Sequence, residues 1–288
     1  HTDRTHLSPL KRHPQAKLSA ICGRTRERDE ELAAKYEIPQ IFTDYREMIA
    51  DGNLDAVVVA TPDDLHYPMT MAALDAGLHV LCEKPLALTE DHAKAMAERA
   101  EAAGVKAMVY FTYRWWPVYR YARRLLNEGY IGRCFHCSFR YLGGYARGGD
   151  YMWRFDGQRS NGALGDLGSH VIDMARWLIG DITDVSAHLA TYVDRPGPDD
   201  RALVPANDAA LLVVKFADDA QGVIQVSAVA NVGERGQEQH VVLHGEEGTL
   251  EIESTWLGTE LRGVHGDEQA FRSLPIPGEL GGDLDLNG

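Results

Sequence analysis

The chain has 288 residues, of which 44% are hydrophobic and 25% are charged, a composition typical of a globular protein with a sizeable core. Its formal net charge of -14 argues against nucleic acid as a partner, because the electrostatic field of a negatively charged protein repels a phosphate backbone. No apolar run reaches the ~18 to 20 residues of a membrane span, and the N-terminus lacks a signal-peptide pattern. With only four scattered cysteines, we expect a cytoplasmic protein with reduced thiols and no membrane partner.

Up to about residue 110, short apolar runs alternate with helical patterns, which is typical of a parallel sheet covered by helices on both faces. Strands are predicted at 17–22, 55–60, 79–82 and 106–111. Helices are predicted at 5–12, 26–36, 45–50, 65–76 and 89–103, with Thr89 as a cap and Gly77 and Gly104 as stop signals. We therefore expect an α/β, doubly wound Rossmann domain over residues 1–112.

The pattern changes after a further helix at 116–128, and strands then follow strands. They are predicted at 133–140, 183–192, 208–216, 222–228, 239–244 and 248–252, together with one long helix at 163–179. Such an order is typical of an antiparallel sheet. The second domain, 113–288, is predicted to be α+β with an open, mainly antiparallel sheet.

A Gly-rich G-x-G-x-x-G loop, which a dinucleotide-binding domain carries after its first strand, is not present in the sequence. In the 3-2-1-4-5-6 strand order that first strand is central, and its loss would leave two buried strand edges unpaired. We therefore expect about ten further residues upstream of His1, carrying this strand and loop.

Three residues after the strand at 17–22 are candidates for the adenosine side of the cofactor. An NAD-binding domain commonly places an acid at such a position, whereas this chain has Gly23, Arg24 and Thr25. Arg24 could pair with a 2'-phosphate and Thr25 could donate to it, which favours NADP over NAD. The alternative is that Arg24 is a solvated residue at a helix start.

The loop after the strand at 55–60 lies at the carboxyl edge, where open α/β sheets bind ligands. Thr61 and Pro62 are candidates to line the nicotinamide ribose, although Pro62 could equally start the next helix. His66 is included among the cofactor-binding candidates, but a partly exposed first-turn residue is the simpler interpretation.

The strand at 79–82 ends in Glu83-Lys84-Pro85, three further cofactor-side candidates. Lys84 is a candidate catalytic residue, because an ammonium group there could orient a substrate hydroxyl and ease its deprotonation. A solvated surface lysine is the alternative. Pro85 would fix the backbone, and a cis peptide bond before it is one way to do so.

Asp166 and His170 are four residues apart on the predicted helix and share one face. His170 is suited to accept a hydroxyl proton, and Asp166 to hold the imidazole or polarise the substrate. Gly165 and Gly168 each cost about 1 kcal/mol relative to alanine in a helix, which favours close approach of another group. The alternative is a structural histidine.

Cys134 and Cys137 have C-x-x-C spacing. On a regular strand, residues three apart point to opposite faces, so we expect no redox pair. With no second ligand cluster in the sequence, we expect no metal site.

Four segments together resemble the glucose-fructose oxidoreductase, inositol dehydrogenase and rhizopine-catabolism (Gfo/Idh/MocA) family, over residues 4 to at least 253. They are Glu83-Lys84-Pro85-Leu86-Ala87-Leu88-Thr89, Tyr113-Arg114-Trp115-Trp116-Pro117, Trp153-Arg154-Phe155-Asp156 and Gly165-Asp166-Leu167-Gly168-Ser169-His170. The resemblance implies that Lys84, Asp166 and His170 serve a hydride-transfer site. It also implies that Arg114 borders the cofactor, and that Tyr113, Trp153 and Arg154 border the substrate along with Asp166 and His170.

The family likeness implies an NAD(P)-dependent dehydrogenase acting on a secondary alcohol of a sugar or cyclitol. It also implies oligomer contacts through the open sheet, hence a homodimer or homotetramer, and a chain that continues beyond Gly288. A glycosidase that uses tightly held NAD for transient oxidation is an alternative on the same fold. A nonenzymatic cofactor-binding protein is another, since a fold does not fix a function.

Overall fold

The computed structural model describes residues 2–199 and 201–281. It divides into two compact units, the first ending at Tyr110 and the second starting at Phe111. No helix within the described ranges combines the length and the hydropathy that crossing a membrane requires.

The first unit alternates parallel strands with helices, as the sequence predicts. Its strands are β1 (Ala20–Cys22), β2 (Gln40–Phe42), β3 (Ala56–Val59), β4 (His79–Cys82) and β5 (Ala107–Val109). Its helices are α1 (Ser8–Arg12, after a π-helical turn at Asp3–Leu7), α2 (Arg26–Tyr36), α3 (Tyr45–Asp51), α4 (His66–Asp75) and α5 (Glu90–Ala103). Thr89 caps α5 by accepting from the His92 N–H at 3.3 Å, and Gly104 ends it in the left-handed conformation.

The strands of this unit form two parallel sheets, β1-β2 and β3-β4-β5. β1 and β3 are not paired with each other. In a Rossmann sheet of the order 3-2-1-4-5-6, one further strand lies between the two strands that correspond to β1 and β3. Valines of β3 and β4 pack with Leu74 and Met96 in one core. Leu32, Tyr36 and Ile38 form a second core, beside β1 and β2.

The second unit is built on one eight-stranded sheet with the order β13-β12-β11-β10-β6-β9-β8-β7. Every neighbouring pair is antiparallel except β6 and β9, which run parallel. The strands are β6 (Cys134–Gly143), β7 (Ile182–Ala190), β8 (Ala209–Phe216), β9 (Gln221–Ser227), β10 (Gln237–Gly245), β11 (Gly248–Thr255), β12 (Gly258–His265) and β13 (Arg272–Ser273). The helices are α6 (Pro117–Asn127) and α7 (Ser169–Leu178). The prediction of an open, mainly antiparallel sheet is confirmed.

The two faces of this sheet differ in polarity and burial because side chains alternate along each strand. One face supplies a core that includes Phe139, Ile224 and Val241 together with residues of α6 and α7. The other face leaves apolar side chains exposed, among them Leu211, Val213 and Val223. We call these three residues the outer apolar face.

The predicted separation of Cys134 and Cys137 onto opposite faces of β6 is wrong. A β-bulge occurs here, since His244 pairs with His136 and the next residue, Gly245, pairs with Cys134. One residue is skipped, and both thiols are buried on the same side. A hydrogen bond between the thiols lowers the pKa of Cys134 and raises that of Cys137. Bulges of this kind re-aim side chains. All four cysteines of the chain are free thiols.

Candidate functional site

His66 joins two loops at the carboxyl edge of the β3-β4-β5 sheet. Its Nδ1 lies 2.7 Å from the Pro85 carbonyl oxygen and its Nε2 lies 3.0 Å from the Thr61 carbonyl oxygen. The side chain is fully buried, so the predicted partial exposure of His66 is wrong. Since buried carbonyls need donors, His66 fixes the loop after β3 against the loop that carries Lys84.

We expect that replacing His66 by alanine destabilises the protein by about 3 kcal/mol, because the contacts of a buried ring with two carbonyl oxygens are lost and a cavity opens. Urea denaturation measures the change. Alanine at His13, an exposed histidine outside the helices and strands, is the matched control and should change stability by less than about 0.5 kcal/mol. Equal stability of the two variants would contradict the bridging role.

The segment Glu83-Lys84-Pro85 follows β4 directly, and its Lys84–Pro85 peptide bond is cis. Glu83 is buried and lies 2.8 Å from His6 Nε2, and it accepts from the Lys84 N–H at 3.2 Å. Burial raises the pKa of Glu83, but the bond to His6, the Lys84 N–H and the charges of both residues together outweigh it, and the net pKa is lowered. The Glu83 carboxylate thus stabilises the loop through its contacts with His6 and the Lys84 backbone. The Lys84 side chain beside it is half-buried.

Two features of the first unit fit a bound dinucleotide. The Thr61 hydroxyl, at the end of β3, is buried and has no hydrogen-bond partner among the described residues. Arg24 and Thr25 are exposed just after β1, at the same type of strand end. The Thr61 hydroxyl can form a hydrogen bond with a ribose, and the accessible Arg24 side chain can pair with a phosphate. Both residues follow parallel strands. Pro62 lies in the same loop as Thr61.

In the second unit, the predicted regular helix at 163–179 consists of two parts. A π-helical turn covers Leu164–Gly168 and α7 follows from Ser169. Asp166 thus lies in the π-helical turn and His170 in the first turn of α7. Single π-helical turns inside helices are frequent at functional sites. A Cβ on Gly168 would lie 2.9 Å from Leu164 Cδ1, so packing within the helix, rather than approach of a ligand, explains that glycine.

His170 packs within a cluster of aromatic rings. Its ring centroid lies 4.5 Å from that of Tyr113, 6.4 Å from Tyr141 and 6.3 Å from Phe111. The Tyr113 and Tyr141 hydroxyls are 2.8 Å apart, and Tyr141 donates to Gln237 Oε1 at 3.0 Å. Burial raises the pKa of both tyrosines. His170 therefore packs against the rings of two tyrosines whose neutral hydroxyl groups form a buried hydrogen-bonded chain.

Asp166 is held from two sides. Its Oδ2 accepts a hydrogen bond from the Tyr145 hydroxyl at 2.6 Å and lies 3.2 Å from Arg154 Nε. The Arg154 guanidinium is stacked on the Trp153 ring, 4.4 Å from its centroid. Burial, together with the Asp166 charge, raises the pKa of Tyr145, which keeps this donor protonated. The predicted substrate-side residues Trp153 and Arg154 are thus joined to Asp166.

Arg114 and Tyr113 belong to one 3-10 turn but have different environments. Arg114 forms a two-pronged ion pair with Asp173, through Nε at 2.8 Å and Nη2 at 2.6 Å, and lies over the Trp177 ring. Tyr113, by contrast, is buried beneath His170. Arg114 is therefore tied to α7, and Tyr113 supports His170.

A cavity of about 260 Å³ opens in the second unit next to these residues. Its walls include Tyr141, Tyr145, Leu167, Gln237 and Trp256. Through Tyr145 and Leu167 it adjoins Asp166. The sequence prediction missed Tyr141, Tyr145, Gln237 and Trp256, because they come from separate strands and turns and share no motif. Among the residues that the structure describes, no group of three or more His, Cys, Asp and Glu side chains is arranged to hold a metal ion.

Residues 2–111 match the oxidoreductase family with an NAD-binding Rossmann fold, and residues 119–251 match the GFO/IDH/MocA C-terminal domain. A levoglucosan dehydrogenase of Pseudarthrobacter phenanthrenivorans is 34% identical over 76% of this chain and 60% of its own length. An uncharacterised oxidoreductase of Synechocystis is 30% identical over 96% of this chain and 76% of its own length. The chain thus spans less than two thirds of the levoglucosan dehydrogenase.

Comparison of structures gives the same family. The structure of levoglucosan dehydrogenase in complex with NADH and levoglucosan has a TM-score of 0.83 and 31% identity, and the match covers 90% of this chain and 71% of that one. Both units of the present chain therefore have family counterparts, in sequence as well as in fold. The chain belongs to the GFO/IDH/MocA family of oxidoreductases.

Proposed function

We propose that this chain forms the greater part of an NAD(P)-dependent dehydrogenase that oxidises a secondary alcohol of a sugar or cyclitol. The observation that carries the proposal is the arrangement around His170 and Asp166. An imidazole packed on buried tyrosine rings and a carboxylate held by Tyr145 and Arg154 adjoin a largely apolar, aromatic cavity. The levoglucosan dehydrogenase match supports the same reaction class.

Each of three residues has a role in this proposal. His170 accepts the proton of the substrate hydroxyl, a task suited to an imidazole near neutral pH. Asp166 accepts a hydrogen bond from the substrate and keeps it oriented. Lys84 donates to the reacting oxygen and stabilises the negative charge that develops on it. Bound nicotinamide would accept the hydride from the same carbon.

The cavity supports a small polyhydroxylated substrate. Ligand sites combine an apolar lining with a few placed polar groups. Here Tyr141, Tyr145 and Trp256 supply aromatic surface and Gln237 supplies an amide. The lining thus presents both ring faces and hydrogen-bonding groups, which a sugar or cyclitol ring requires.

The cofactor of the proposed enzyme is NAD or NADP. Gly23, Arg24 and Thr25 would border its adenosine ribose, Thr61, Pro62 and the loop that His66 secures would border the nicotinamide ribose, and Glu83, Lys84, Pro85 and Arg114 complete the proposed contacts. One feature, the exposed Arg24 that is able to pair with a 2'-phosphate, favours NADP. A cytoplasmic location remains part of the proposal and is consistent with four free thiols.

A dehydrogenase screen of sugars, anhydrosugars and inositols with NAD and NADP in parallel tests the function. The protein expressed from its complete gene should reduce at least one cofactor with at least one of these substrates. Binding of cofactor without turnover of any compound would favour a nonenzymatic role. Product formation without net reduction of cofactor would favour a glycosidase.

We further propose that the protein is a homodimer or homotetramer assembled through the outer apolar face. Val213 is 57% exposed and Val223 is 40% exposed, and the two residues are directly paired on adjacent strands. Contiguous apolar surface of this kind marks association sites.

We expect the double variant Leu211→Lys, Val213→Lys to sediment as a monomer, because two ammonium groups cannot be buried unpaired in an interface. Sedimentation velocity measures the change. Val204→Lys, at an exposed apolar residue outside this sheet, is the control and should keep the oligomer. An unchanged oligomer in the double variant would exclude this face as the interface.

A further inference from the structure

Gly23 and Asp29 occupy one small volume at the end of β1. A Cβ built on Gly23 would lie 2.3 Å from Asp29 Oδ1 and 2.5 Å from Oδ2. The carboxylate of Asp29, which comes from the first turns of α2, therefore fills the space where a side chain of residue 23 would begin. The Gly23 N–H donates to it. Gly23 has a role here that any larger residue would exclude.

The Asp29 carboxylate is buried but has few partners. The residue is 6% exposed, and within the described part of the chain its Oδ2 has no hydrogen-bond partner. Burial raises the pKa of Asp29, and the Gly23 N–H offsets this in part. A buried carboxylate that accepts so few hydrogen bonds is costly. Such a cost is expected at functional sites more often than elsewhere.

The Asp29 carboxylate lies at a position where dinucleotide-binding domains commonly carry an acid. In Rossmann domains an acid near the end of the strand that corresponds to β1 of this chain binds the adenosine ribose. In this chain the residue directly after β1 is a glycine, Gly23. Asp29 brings a carboxylate to that place from the following helix. Because Gly23 has no side chain, the Asp29 carboxylate occupies the space in which the side chain of a strand-end acid would begin.

We propose that Asp29 supplies the acidic group of the adenosine ribose site and makes the protein select NAD over NADP. This inference rests on the cofactor part of the proposed function. A buried negative charge repels a 2'-phosphate strongly because little water screens it. Arg24 acts in the opposite direction, but its side chain is exposed, and solvent screening weakens an exposed charge. The balance therefore favours NAD.

Direct binding of NADH and NADPH, measured by nicotinamide fluorescence on the protein expressed from its complete gene, tests the proposal without any substrate. The wild-type protein should bind NADH more tightly than NADPH. Asp29→Asn keeps an acceptor for the Gly23 N–H and removes the charge. We expect it to lower the NADH to NADPH affinity ratio about tenfold, chiefly by improving NADPH binding.

Glu27→Gln is the matched control, because it removes one negative charge from an exposed position in the same helix turn. It should leave the affinity ratio within about twofold of wild type. Thermal unfolding shows whether Asp29→Asn still folds, and Asp29→Glu provides a charged variant if it does not.

One result would contradict the role of Asp29 alone, and another would contradict the proposed function as a whole. If both cofactors bind and Asp29→Asn weakens them equally, or the ratio does not change, Asp29 has only a structural role and this inference is overturned. If neither cofactor binds to the wild-type protein, the proposed function itself fails, and this inference with it.

Discussion

Replacing His170 by asparagine should lower kcat by about 10²- to 10⁴-fold, the range typical for loss of a general base. The asparagine amide cannot accept the substrate proton at neutral pH. KM should change much less, because Asp166 and the cavity lining remain. Steady-state kinetics with a substrate from the dehydrogenase screen measures both constants.

The His170 variant needs a structural control, since the ring packs on Tyr113 at 4.5 Å. Its melting temperature and its NADH affinity should stay close to those of wild type. His13→Asn, at an exposed histidine near the N-terminus, should keep full activity. Normal kcat in a folded His170 variant would remove His170 from the catalytic assignment.

Replacing Lys84 by methionine should reduce kcat/KM by about 10²- to 10³-fold, because one donor to a developing oxyanion is removed. Methionine keeps most of the aliphatic length without the charge. Lys84→Arg should recover only part of the activity, since a planar guanidinium does not place its donors where an ammonium does.

Cofactor affinity distinguishes two origins of this loss. If Lys84 acts on the substrate, NADH should bind the methionine variant within about threefold of wild type. Lys106→Met, at an exposed lysine just before β5, should have no effect. An unchanged kcat/KM would refute the role given to Lys84, whereas a loss confined to NADH binding would make it a cofactor ligand.

Much of the fold could be predicted because local pattern and burial agree. The predicted bounds of α2 and β4 coincide with those observed, since a run of helix-favouring residues and a short apolar run each favour one type of element. β2 was missed because three half-buried residues carry no periodicity. β12 was missed as well, where Gly263 interrupts the alternation. The bulge at Cys134 depends on pairing with β10, which no local pattern contains.

The residues of the candidate site also differ in how far they could be predicted from the sequence. Lys84, Asp166 and His170 could be proposed from the sequence because they lie in short motifs. Tyr145 and Gln237 could not be proposed, because their contacts arise only when separate elements meet. The proposal for Asp29 could not be made from the sequence for a related reason. Its importance depends on a close approach to Gly23, and in the sequence it is one acid among several in an exposed helix.

Trp256 lies in the turn between β11 and β12 and is 63% exposed, and it closely contacts Gly236, where a Cβ would meet its ring at 1.9 Å. This wall of the cavity is therefore a hairpin tip, separate from the helix that bears the proposed proton-transfer residues. Hairpin tips tolerate insertions and replacements better than the strands they join. If the proposed function is correct, changes to a few residues of this one turn would alter the choice of substrate and leave the proposed proton-transfer residues in place.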